Sequence, residues 1–110
     1  MALARRHRLL KKDIDNVFKR GKTVKGSFFF IKFLKNDTGK LRLAVSISKK
    51  VLKTAVARNK IKRFFSNFFS SSLFLNTPVD LVIVVTTSIV EKPLKEIKRE
   101  MEQAINKIFV

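Results

Sequence analysis

The spacing of apolar residues changes period along this chain, and each change marks a new element. Ile14, Val17 and Phe18 stand at i, i+3 and i+4, which predicts a short helix over residues 13–21. Asp13 and Asp15 favour its N-terminus, and Gly21 is placed to end it. Ser27 to Leu34 is dense in β-formers. A strand there puts Phe28, Phe30 and Lys32 on one face and Phe29, Ile31 and Phe33 on the other. Asn36-Asp37-Thr38-Gly39 is a turn signal. Beyond it Leu41, Leu43, Val45 and Ile47 alternate with Arg42, Ala44, Ser46 and Ser48. The two runs are expected to pair as a hairpin, with an extra short strand near Val24.

From about Thr54 the period becomes helical, with Ile61, Phe64, Phe65 and Phe68 forming a core-facing stripe. Arg58, Asn59, Lys62 and Arg63 fall on the opposite side. Asn76-Thr77-Pro78 breaks the chain. Leu81 to Val85 is continuously apolar, which predicts a central strand buried on both faces. Pro93 opens a last helix with Leu94, Ile97, Met101, Ala104, Ile105 and Ile108 on one stripe. The pattern predicts a single α/β (α+β) sandwich domain over residues 1–110, with helices packed on a sheet.

Charge changes the picture from fold to function. The 110 residues carry 25 Lys or Arg against 8 Asp or Glu, a net charge of +17. All the surplus lies in residues 1–63, which hold 20 cations and three acids, while residues 64–110 are balanced. A surface so polarised fits a polyanion, and polyvalent anions are expected to bind it. The 45% apolar content excludes a wholly disordered basic tail. Absence of Cys excludes disulfides and thiolate metal sites. No apolar run approaches the roughly 18 residues of a membrane span. The basic N-terminus leads to Lys11-Lys12-Asp13, not to an apolar signal core, so a cytoplasmic protein without a membrane partner is expected.

Protein-based catalysis has little to work with. His7 is the one histidine, in an N-terminal segment expected to be mobile, and a structural or solvated role suits it better than that of a base. Glu91, Glu96, Glu100 and Glu102 lie at or near the last helix and read as solvated pairs. No catalytic residue, metal site or protein-bound cofactor is assigned. Nucleic-acid binding is better served. Ser46 to Lys50 ends a strand with two hydroxyls and two cations, suited to phosphate. Phe30 beside Lys32 either packs in the core or offers a stacking platform for an unpaired base.

Ser48-Lys49-Lys50 followed by Ala55-Val56-Ala57-Arg58-Asn59-Lys60-Ile61-Lys62-Arg63 resembles the signature of the bacterial ribonuclease P protein family. Arg8-Leu9, Val17 to Gly21, and Asp80 to Val84 look like further parts of that family's sequence. The resemblance implies an α-β-β-β-α-β-α fold with a left-handed β-α-β crossover. It implies that Arg58, Asn59, Lys60, Lys62 and Arg63 contact a catalytic RNA. It also implies a cleft for the 5′ leader of precursor tRNA, matched here to Phe18, Phe28, Phe30, Lys32, Ser46, Ser48, Lys49 and Lys50. Hydrolysis is then expected from the RNA and its Mg²⁺, with no cofactor in the protein. Lys60 stands where the family has Arg, Leu52-Lys53 replaces a Gly-containing turn, and Ile14 replaces a common aromatic. A basic ribosomal protein that packs RNA structurally is the alternative.

Overall fold

Among the described residues the elements follow one another as α1 (Lys11–Arg20), β1 (Lys22–Lys25), β2 (Phe29–Lys35), β3 (Arg42–Ile47), α2 (Ala55–Phe68), α3 (Ser72–Leu75), β4 (Val79–Val85) and α4 (Leu94–Ile108). The structure is a computed structural model and describes residues 7–47, 54–70, 72–86 and 94–108. Ser48, Lys49, Lys50, Leu52, Lys53, Glu91 and Pro93 therefore lie outside the described residues. The α+β architecture and the order of elements match expectation, with the single turn of α3 added.

The strands form one sheet in the order β1-β2-β4-β3. β1 is antiparallel to β2, β2 is antiparallel to β4, and β3 is parallel to β4. The hairpin expected between residues 27–34 and 41–48 does not form, because β4 separates the two strands. The hairpin is instead β1–β2, using the short strand around Val24. The turn signal at residues 36–39 is nonetheless a turn. Gly39 takes a left-handed φ of 73°, and Asn36 Oδ1 accepts from the Thr38 backbone N–H at 3.1 Å. β4 takes the centre because six of its seven residues are buried, a run that needs cover on both faces.

One face of the sheet carries most of the core. Phe29, Ile31, Leu43, Val79, Leu81, Ile83 and Val85 pack there with Ile61, Phe65 and Phe69, and with Ile97, Met101, Ala104 and Ile105 of α4. Phe65 meets Phe29 edge-on, with ring centroids 6.0 Å apart. Phe28 also lies in this cluster, 8% exposed. It precedes β2, so the strand's alternation does not govern it, and its assignment to the leader cleft is corrected.

The opposite face is thinly covered. Leu9, Val17 and Val82 are buried there, with Ile14, Leu34, Ala44 and Val84 packed around them. Polar groups complete the contact. Asp80 is 3% exposed, and its carboxylate accepts from Arg42 Nε (2.8 Å) and the second guanidinium nitrogen (2.7 Å). Asn36 Nδ2 donates to the same carboxylate at 2.7 Å, and the third Arg42 nitrogen reaches Asp13 of α1 at 3.4 Å. A buried carboxylate held by a bidentate guanidinium is satisfied, and breaking the pair would strand a charge.

Residues 7–9, shortly before α1, are docked on the sheet. His7 is 5% exposed, and its Nδ1 donates to the Leu41 carbonyl at 2.7 Å. The Leu9 N–H donates to the Leu43 carbonyl, and Arg8 bridges Leu43 in parallel. His7 thus has the structural role expected, but in a fixed strap along the β3 edge, not in a mobile tail. Among the described residues no helix is long and apolar enough to cross a membrane.

Candidate nucleic-acid interface

α2 begins where Thr54 caps it, its hydroxyl accepting from the Ala57 N–H at 3.1 Å. Ile61 and Phe65 are buried and anchor the helix on the core. That anchorage fixes which way the cations point, because residues three and four apart share a face. Asn59, Lys60, Lys62 and Arg63 are exposed, Arg58 is half-buried, and the helix contains no acid.

Asn59, Lys62 and Arg63 meet, together with Ser66, on one wall of an open cleft of about 500 Å³. Its other wall is Arg8 and Leu9 of the docked strap, and its floor is Leu43, Ala44 and Val45 of β3. Arg58 and Lys60 do not line it. Arg8 is the contributor that sequence reasoning missed, although Arg8-Leu9 belonged to the family resemblance. Pattern alone could not show that the strap pairs with β3 and delivers its cation beside a helix fifty residues away. The cleft presents cations and an amide around one open depression, a combination that suits phosphate oxygens on a backbone.

A second surface lies on the thin face of the sheet. Register places Lys25, Phe30, Val84 and Ser46 in one row, and Thr23, Lys32, Val82 and Ala44 in the next. Val17 of α1 covers Val82, but Phe30 belongs to neither apolar cluster and stays half-buried. Phe18 is 41% exposed, and Lys32 Nζ lies 5.9 Å from its ring centroid. Phe18, Phe30, Lys32 and Ser46 therefore share the open part of this face, with aromatic surface, a cation and a hydroxyl. The alternative left open for Phe30 resolves away from the main core. Ser48, Lys49 and Lys50, which continue β3 in sequence, lie outside the described residues.

Arg42 is pushed above its ordinary guanidinium value, chiefly by its hydrogen bond to Asp80, with burial opposing. It remains cationic throughout any working pH range. Among the described residues no group of three His, Cys, Asp or Glu side chains comes together to hold a metal ion.

Comparison with known proteins bears on the family and the fold. The family model for ribonuclease P matches residues 3–109. A ribonuclease P protein component of Legionella pneumophila (strain Corby) is 32% identical over 109 residues, covering 97% of this chain and 93% of that protein. One from Ureaplasma urealyticum is 33% identical over 79 residues, 72% of this chain and 67% of the relative. The Staphylococcus aureus RNase P protein shares the fold, with a TM-score of 0.83 at 24% identity, over 94% of this chain and 96% of that one. These relatives decide between the two readings raised by the charge pattern, against the ribosomal one. A match that runs through strap, basic helix and central strand alike means that the chain belongs to the ribonuclease P protein family.

Proposed function

We propose that this chain binds the catalytic RNA of ribonuclease P through the α2 cleft and holds the 5′ leader of precursor tRNA on the thin face of the sheet. The leading observation is the cleft itself, lined jointly by Arg8 from the strap and by Asn59, Lys62 and Arg63 from an acid-free helix. Arg58 and Lys60 flank it and contribute to the same field, Lys60 as a point charge where an arginine would bind in bidentate fashion. Polyvalent anions such as sulfate are expected to occupy the same cleft when RNA is absent.

The leader surface is built for unpaired nucleotides. Bases stack on Phe18 and Phe30, while Lys32 and Ser46 face the backbone, joined by Ser48, Lys49 and Lys50 further along the chain. Phosphodiester hydrolysis belongs to the RNA in this reading. In this reading Mg²⁺ belongs to the RNA, and no step is routed through the protein. The protein neutralises backbone charge and favours precursor over mature tRNA, in the cytoplasm where tRNA is processed.

The test is cleavage of a precursor tRNA by the reconstituted ribonucleoprotein at near-physiological Mg²⁺. RNA plus protein should remove the leader far faster than RNA alone, and RNA-free protein should leave the precursor intact. Equal rates with and without the protein, or leader removal by RNA-free protein, would overturn the proposal.

A further inference from the structure

α1 forms one wall of the leader surface, yet Val17 is its one buried residue. So thin an apolar contact does not by itself fix the angle of a ten-residue helix against a sheet. Two other devices hold its ends. At the N-terminal end, Asp13 accepts from Arg42 at 3.4 Å. Arg42 is itself immobilised by two hydrogen bonds to the buried Asp80, so Asp13 is tied to the centre of the sheet.

At the C-terminal end the device is a close approach of backbone. The Gly21 N–H donates to the Val17 carbonyl at 2.7 Å, and a Cβ on Gly21 would lie 2.7 Å from the Phe33 carbonyl oxygen of β2. The same Cβ would press still harder on the Val17 carbonyl oxygen of α1, and real Cβ atoms essentially never sit so near either oxygen, so a side chain there must shift the helix end relative to its own last turn and to the strand. Phe18 lies between these anchors, three residues before Gly21. Asp13 and Gly21 are about 12 Å apart along the axis at 1.5 Å per residue. Displacement at either end therefore changes the distance between the Phe18 ring and Lys32.

We propose that Asp13 and Gly21 are positioning residues that set the gap between α1 and the sheet, and so set the preference for leader-bearing over leaderless tRNA. This rests on the leader surface described above. Neither residue belongs to that surface, and both act through the placement of Phe18. An exposed or partly exposed ion pair contributes little to stability, so losing Asp13 should shift geometry more than it weakens the fold.

The experiment uses holoenzyme reconstituted with Asp13→Asn, Asp13→Glu or Gly21→Ala protein. Affinities are measured for tRNA with and without a leader, for the catalytic RNA, and for thermal unfolding of the protein. Gly21→Ala should lower the ratio of leader-bearing to leaderless affinity about fivefold or more, in line with overpacking. Asp13→Asn should lower it about two- to threefold, and Asp13→Glu should restore most of it. Affinity for the catalytic RNA should stay within about twofold.

An unchanged ratio in a wild-type-like Asp13→Asn protein overturns the proposal, and that variant decides alone if Gly21→Ala does not fold. A ratio that falls only in step with melting temperature or catalytic-RNA affinity also overturns it. If wild-type holoenzyme itself shows no leader preference, the leader reading has failed, and this inference with it.

Discussion

The two faces of the sheet are built to different standards. Among the described residues, sixteen buried apolar side chains share the cluster on the α2–α4 face, while three share the one under α1. The dense face fixes α2 and thereby aims its cations. The thin face leaves Phe30 and Lys32 only half-buried and Ser46 exposed, and relies on Asp80, Arg42 and Asp13 to hold its helix. Most of the apolar burial thus lies on one side of the β layer, which lets the side proposed to hold the leader stay open without weakening the core.

The hardest test of that division removes a large core side chain. Phe65→Ala, at a residue with no exposure, should cost about 3–5 kcal/mol of stability in denaturant unfolding. A loss below about 1 kcal/mol would mean that the dense face is not the stabilising one. Asp80→Asn comes next. Leaving Arg42 without its carboxylate should cost about 3 kcal/mol. The sign of its pH dependence follows from Arg42. A raised folded value means that the contribution is complete below the ordinary guanidinium pKa and is lost only as pH rises through the raised one. The Asp80→Asn deficit should therefore be equal at about pH 6 and about pH 9, as paired urea titrations would reveal.

Phe30→Ala should behave in the opposite way. It should weaken precursor binding by about 1–3 kcal/mol, if one base stacks there, with little change in melting temperature or in mature-tRNA affinity. Equal losses for both tRNAs would assign Phe30 to packing. The smallest effect is expected for Lys62→Ala. It should lower the slope of log affinity for catalytic RNA against log salt by about 0.7–0.9 for one phosphate contact. A slope identical to wild type would make Lys62 a solvated cation only.

Much of this division is legible in the sequence, where local periodicity governs it. The Ile61–Phe65 stripe and the opposed cations of α2 follow from helical spacing, and the place of β4 follows from its unbroken apolar run. What escaped is nonlocal. The turn at residues 36–39 is real, but no local rule says that a strand from forty residues later will enter between its two arms. Phe28 escaped because alternation was extended one residue beyond the strand. His7 and Arg8 escaped because three residues pairing with a sheet edge carry no periodic signal. Periodicity reached the strands and the cation face of α2, and the family resemblance added which RNA that helix is expected to contact. Arg8 lay inside that resemblance without a stated role.

The central position of β4 has a consequence for how the molecule is made. β2 and β3 share no ladder with each other, and both dock on a strand that begins at Val79. On a ribosome adding roughly 5–20 residues per second, the 31 residues between Ile47 and Val79 take about 2–6 s to appear. Throughout that interval the sheet has no middle, and two strand edges wait unpaired. Every cation proposed to touch RNA has by then been synthesised, with nothing to hold it in place. The nascent protein is therefore at its most sticky and least specific just before its last strand emerges. A truncated product ending short of Val79 should behave as a promiscuous polycation, competing for RNA without the geometry to choose among RNAs.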